Sequence, residues 1–163
     1  MKDLVILATG GTFDKDYNPI TEVTHFHKRS HMDQILGQCR VSDVPHQMLM
    51  LKDSLEIGDQ ERHAILEAVL ASHASQIVIT HGTSTMDQTA KFLLGKVSGK
   101  TIVLTGAMRP YALGKSDATF NLGCAIMAAQ SAPEGVYIAM NGCLFPAGRV
   151  EKDVDAGIFV AVD

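Results

Sequence analysis

The sequence has no cluster of basic residues, and its formal net charge is −4. A chain of that balance offers no electrostatic footprint for a phosphate backbone, so no nucleic-acid partner is expected. No stretch approaches the roughly 20 apolar residues of a membrane span, and the run that follows Lys2 and Asp3 is too short for the core of a signal peptide. These absences predict a cytoplasmic protein with no membrane partner. Cysteine is scarce. Cys39, Cys124 and Cys143 lie far apart in no CxxC arrangement, which predicts free thiols rather than a disulfide framework or a zinc site. Neither GxGxxG nor GxxxxGK[ST] occurs, so nucleotide binding lacks its usual phosphate cradles. Repeats, low-complexity runs and linkers are absent too.

With 163 residues, 46% hydrophobic and 20% charged, the chain is long enough for one domain that buries roughly two thirds of its unfolded surface. The apolar run at residues 4–8 has no alternating polar face and predicts a buried parallel strand; further strands are predicted at 46–51, 76–80, 101–104 and 136–140. Between them, apolar spacing and end signals predict helices at 30–36, at 59–73 with Asp59 as N-cap and Ile65, Leu66, Val69 and Leu70 as its stripe, at 86–96 with Met86, Ala90, Leu93 and Leu94 inward, and at 117–130. The last carries an almost continuous small apolar surface from Cys124 to Ala129. Residues 9–24 read as an irregular polar loop, long enough to suggest a functional one. The apolar segment 158–162 closes the chain and calls for a cover. Strands alternating with helices imply an α/β domain, three-layered and Rossmann-like, with a mainly parallel sheet and helices on both faces.

Chemistry gathers where the strands end. Thr9-Gly10-Gly11-Thr12 follows the first strand, Lys52-Asp53-Ser54 the second, His81-Gly82-Thr83-Ser84-Thr85 the third and Thr105-Gly106-Ala107-Met108-Arg109-Pro110 the fourth. Glycine permits a sharp exit and the close approach of another backbone. Hydroxyls and amides would therefore converge on the carboxyl edge of the sheet, where open parallel sheets bind ligands.

The segments TGGTFD, KDS, HGTSTMDQTA and TGAMRP, in that order and spacing, resemble the bacterial-type L-asparaginase/glutaminase family. The resemblance extends along essentially the whole chain but only over the family's amino-terminal domain, so residues 1–163 are expected to form a single domain without the family's second, smaller one. It implies an amidohydrolase that converts L-asparagine to L-aspartate and ammonia through an acyl-threonine, with a small amide as substrate and no cofactor. By motif, Thr12 is the nucleophile and Tyr17 its loop partner, while Thr83 is the second catalytic threonine and Lys152 its lysine. Gly11, Asp53, Ser54, Gly82 and Ser84 fall in the substrate site, Ser54 at the α-carboxylate. A hydroxyl becomes a nucleophile only when a neighbour takes its proton, which is the role these partners imply.

Two positions depart from the pattern. Ser84 stands where the family carries the aspartate that grips the α-ammonium, and Leu55 where some members have glutamine. Hydrogen bonds to a charged group contribute roughly 1.5–3 kcal/mol, so this substitution predicts weak, millimolar apparent affinity unless Glu56 or another subunit supplies the charge. Ser84 also reads as an ordinary N-cap of the following helix. The family closes its site with the second domain of another subunit, which suggests a homodimer or larger homo-oligomer here. His25, His27 and His31, with Glu22 the sole nearby carboxylate, read as a polar loop rather than a metal site. His81 is expected to orient backbone, Arg109 to pack or pair beneath the fourth loop, and Asp87 and Lys91 to support their helix as an i, i+4 pair. Two other classes remain open: a non-catalytic domain that binds a small amino acid, which would not need Thr12, and a nucleotide-binding domain, which lacks its motifs.

Overall fold

The five predicted strands lie side by side in one sheet. In the computed structural model, which describes residues 3–41 and 43–163, the elements in chain order are β1 (Leu4–Gly10), β2 (Lys15–Asn18), β3 (Val23–Phe26), α1 (Met32–Gln38), β4 (His46–Lys52), α2 (Asp59–Ala71), β5 (Gln76–Thr80), α3 (Met86–Leu93), β6 (Thr101–Thr105), α4 (Ala118–Ser131), β7 (Gly135–Met140), β8 (Cys143–Pro146), β9 (Val150–Asp153) and β10 (Ile158–Ala161). The main sheet runs β4-β1-β5-β6-β7-β8. All its pairings are parallel except β7 with β8. Because the chain passes from β1 to β4 on one side and then to β5 on the other, the strand order reverses at β1. Such a reversal opens a crevice beyond the strand ends.

Alternate residues of each inner strand feed two cores. Leu4, Ile6, Val78 and Val103 pack with residues of α1 and α4. Leu7, Ile77, Ile79, Ile102 and Leu104 pack on the other face with Ile65 and Val69 of α2 and with Met86, Ala90 and Leu93 of α3. Burying each large aliphatic side chain contributes roughly 1.5–3 kcal/mol, so the two faces hold the three layers together. Among the described residues no helix is long and apolar enough to cross a membrane, and Cys39, Cys124 and Cys143 are free thiols.

Several expectations need correction. The irregular loop at 9–24 is instead a 3-10 turn (Thr12–Asp14) leading into an antiparallel hairpin that pairs Lys15 with Phe26, Asp16 with His25 and Tyr17 with Thr24. Val23 and Tyr17 are exposed, so this hairpin has no buried face to leave an alternating pattern. β8 and β9 also escape the periodicity. β8 turns back through Asn141 and Gly142, both at positive φ (56° and 77°), the geometry of a tight hairpin turn. The closing segment is half of a second hairpin with β9, and its Phe159 is buried in the core, so the domain itself supplies much of its cover. The N-cap of α2 is Gly58, with Glu61 accepting the Gly58 N–H at 2.9 Å, and Asp59 is the first helical residue. Leu70, Leu94 and Met127 are exposed. Leu70 and Leu94 come where their helices are ending, and Met127 sits about 200° around α4 from both Ala125 and Ala129, which are buried.

Candidate active site

Close backbone contact assembles the edge. Gly11 adopts φ +71°, and a Cβ built on it would fall 2.4 Å from Gly82 Cα. A Cβ on Gly82 would in turn lie 2.5 Å from the Ser54 Cβ. No side chain fits in either place, so the turns after β1, β4 and β5 rest directly on one another. The Gly11 N–H also donates to the Lys52 carbonyl at 2.9 Å.

On this base the hydroxyls converge. Thr12 is half-buried at the start of its 3-10 turn, immediately after the Gly11 contact. Ser54 is buried. Its Oγ accepts the Ser84 N–H at 3.3 Å and its carbonyl accepts the Thr85 hydroxyl at 2.7 Å. Thr83 is buried as well, and its Oγ1 accepts from Lys152 Nζ at 2.8 Å. That bond joins residues 69 positions apart and seats β9 over the end of β5. Lysine and threonine thus meet as the motif order implied.

Asp53 caps the 3-10 turn Ser54–Glu56. Its Oδ1 accepts the Leu55 N–H at 3.1 Å, and Glu56 Oε2 accepts the Asp53 N–H at 3.0 Å. Its other oxygen pairs with Lys15 of β2. The Lys15 hydrogen bond, followed by that from Leu55, holds the Asp53 carboxyl below the usual carboxylate range. Tyr17 lies further along the same strand, 41% exposed, and among the described residues its hydroxyl makes no hydrogen bond to Thr12. The structure therefore ties the hairpin to the site through Lys15. Ser84 is exposed and is not a helix cap, because the N-cap of α3 is Thr85.

Beneath Gly82 lies a polar chain that sequence order does not reveal. His81 is fully buried, and burial pushes its imidazole down to about 4. The neutral ring donates from Nδ1 to the Gly82 carbonyl at 2.8 Å and accepts the Thr89 hydroxyl on Nε2 at 2.9 Å. Arg62 Nε donates to the same Thr89 oxygen at 3.3 Å. His81 orients backbone, as expected, but Thr89 and Arg62 sit on different helices, and no spacing signal links them. In the fourth loop Arg109 donates to the Gly114 and Leu113 carbonyls at 2.7 and 3.2 Å, and Asn121 donates to Gly106 at 3.0 Å. Asp87 and Lys91 form their pair at 3.7 Å. The His25, His27 and His31 rings lie in sequence edge to edge, and His27 is bonded to Asp16 at 2.8 Å, so Glu22 is not the sole carboxylate near them, because the hairpin pairing brings residue 16 alongside.

The arrangement presents a half-buried hydroxyl, a second hydroxyl bonded to an amine, a fixed serine and the N–H groups of tight turns. Such a set can attack a carbonyl, move a proton and steady an oxyanion. Residues 3–157 match the family model described as Asparaginase, N-terminal. The chain is 30% identical over 184 residues to L-asparaginase 2 of Escherichia coli (strain K12), covering 100% of this chain and 50% of that one. It is 32% identical over 167 residues to a glutaminase-asparaginase of Acinetobacter glutaminasificans, covering 94% and 50%. Among solved structures, a probable cytoplasmic L-asparaginase from Campylobacter jejuni superposes with a TM-score of 0.82 at 27% identity, over 97% of this chain and 52% of that one. The chain thus spans about half the length of these relatives.

Proposed function

Because the chain belongs to the asparaginase family, we propose that it is an amidohydrolase that converts L-asparagine to L-aspartate and ammonia through an acyl-threonine. Thr12 Oγ attacks the carboxamide carbon while turn N–H groups near Thr12 and Thr83 donate to the developing oxyanion. One well-placed donor of this kind is worth about 2.7–4 kcal/mol of barrier. The Lys152 amine accepts a proton relayed through Thr83. Tyr17 passes protons to and from Thr12 when substrate draws the hairpin inward. Ammonia leaves as the C–N bond breaks, and water then cleaves the ester to restore the Thr12 hydroxyl. Ser54 receives the α-carboxylate.

The observation that carries this reading is the 2.8 Å bond between Lys152 Nζ and Thr83 Oγ1 at the edge where Gly11 meets Gly82. A domain that only bound an amino acid would have no need of that pair beside a second, half-buried threonine. We assign the protein to the cytoplasm, where its exposed thiols Cys39 and Cys143 stay reduced. A homo-oligomer covers the site, because Leu55 beside Ser54 and Val154 near Lys152 leave apolar surface exposed at 77% and 79%.

Ammonia release from millimolar L-asparagine, compared between the protein and its Thr12→Ala variant, tests the proposal. Turnover that disappears with the one hydroxyl supports it. Equal turnover by both proteins removes Thr12 from the mechanism, and no release by either folded protein favours the binding domain.

A further inference from the structure

A small amino-acid amide brings two charges into a site, a carboxylate and an ammonium, and each loses water when it is bound. The first is met here. Ser54 offers it a buried, fixed hydroxyl and Ser84 an exposed one. Among the described residues the second is not met, because the nearby carboxylates are turned to other tasks.

Asp53 gives one oxygen to Lys15 and the other to the Leu55 N–H. Glu56 folds back onto the Asp53 N–H. Asp14 is completely buried: its Oδ1 accepts the Ser30 hydroxyl and the His31 N–H at 2.7 and 2.9 Å, and its unpartnered Oδ2 is itself buried. Asp87 pairs with Lys91 along α3. On β9, Glu151 and Asp153 neighbour Lys152 in sequence and so point to the opposite face of the strand; Asp153 Oδ1 also caps the 155 and 156 N–H groups. At the one exposed position between the Thr83 hydroxyl and α3 the chain carries an uncharged serine.

We propose that the preferred substrate is the monoamide of a dicarboxylic acid that lacks an α-ammonium group, of the succinamic acid type, and that Ser84 determines this preference. The inference rests on the amidohydrolase reading and deepens it: L-asparagine is hydrolysed, with weak affinity, because its ammonium finds no carboxylate. The chemistry balances as before. The C–N bond breaks, ammonia carries the proton away, and water completes the dicarboxylate.

The test compares kcat/KM for succinamic acid and L-asparagine, with calorimetric binding of succinate and L-aspartate to the Thr12→Ala variant as a readout independent of turnover. Succinamic acid should be favoured at least about tenfold, which corresponds to the loss of one charge-assisted hydrogen bond. Ser84→Asp should reverse the order, while Glu56→Gln should leave the ratio unchanged. A wild-type protein that hydrolyses L-asparagine as well as succinamic acid, or better, overturns the proposal, as does a Glu56→Gln variant that loses asparagine turnover selectively. If no amide is hydrolysed yet succinate binds at least tenfold more tightly than L-aspartate, the amidohydrolase reading falls and the role of Ser84 stands. Succinate binding no tighter than L-aspartate, or neither acid binding, overturns the role of Ser84 itself.

Discussion

At the scale of single residues, the site depends on groups that act through one contact each. Lys152 touches Thr83 and no carboxylate among the described residues, so its effect belongs to proton transfer. General acid–base groups contribute typically about 10²–10⁴-fold, and Lys152→Met is expected to lower kcat by that order with little change in KM in a steady-state ammonia assay. Gly82 tolerates nothing larger, since the added methyl of Gly82→Ala would lie 2.5 Å from Ser54 Cβ. That variant should lose activity while its circular dichroism stays that of an α/β domain. His81 reports on pH. Its folded pKa of about 4 lies below the ordinary histidine value of 6.5, so between these two the unfolded chain binds more protons than the native one. Stability therefore rises with pH across this window and is lost as pH falls from about 6.5 toward 4, by roughly 3 kcal/mol in all. Urea unfolding of His81→Gln should be weaker at pH 7 and flatter between pH 4 and 6.5 than that of the parent. An equal slope in both proteins would assign the acid sensitivity elsewhere.

At the scale of elements, the hairpin β2–β3 is the part least supported by a core. It joins the site through the Lys15–Asp53 pair, whose side chains are 20% and 34% exposed, and a pair so partly solvated contributes at most about 1 kcal/mol. Lys15→Met should accordingly speed amide exchange in the hairpin by up to about fivefold, with β5 and β6 unaffected. Exchange that rose equally in β5 would mean that the pair supports the whole domain. The absence of a core also explains why this element was illegible. Periodicity records a face buried against other residues, and a hairpin with no fully buried residue has none. β5, buried at four of its five residues, was legible to its ends for the opposite reason.

At the scale of the whole molecule, the carboxyl edge stays open on one side and carries exposed Leu55 and Val154. Light scattering should find an assembly larger than one chain, and the double variant Leu55→Asp with Val154→Asp should shift it toward the monomer. A parent protein that is monomeric at working concentration would remove the case for a subunit cover. The apolar closing segment, read in the sequence as the surface in need of such a cover, contributes less to this case, because its Phe159 is already buried within the domain.

Local pattern alone determined the alternation of strands and helices, the layers, and the three glycine-and-threonine turns that share one edge with Ser54. All of these follow from which residues must be buried and which backbone positions must admit a close neighbour, and both are written in residue type. Only the tertiary structure decided which polar groups meet: Lys152 with Thr83, Lys15 with Asp53, and Arg62 through Thr89 with His81. Such pairings span many positions and depend on the register and tilt of packed elements. A carboxylate's availability to a ligand is settled by the partner that reaches it first, and for Asp53 that partner stands on a hairpin with no periodic signal.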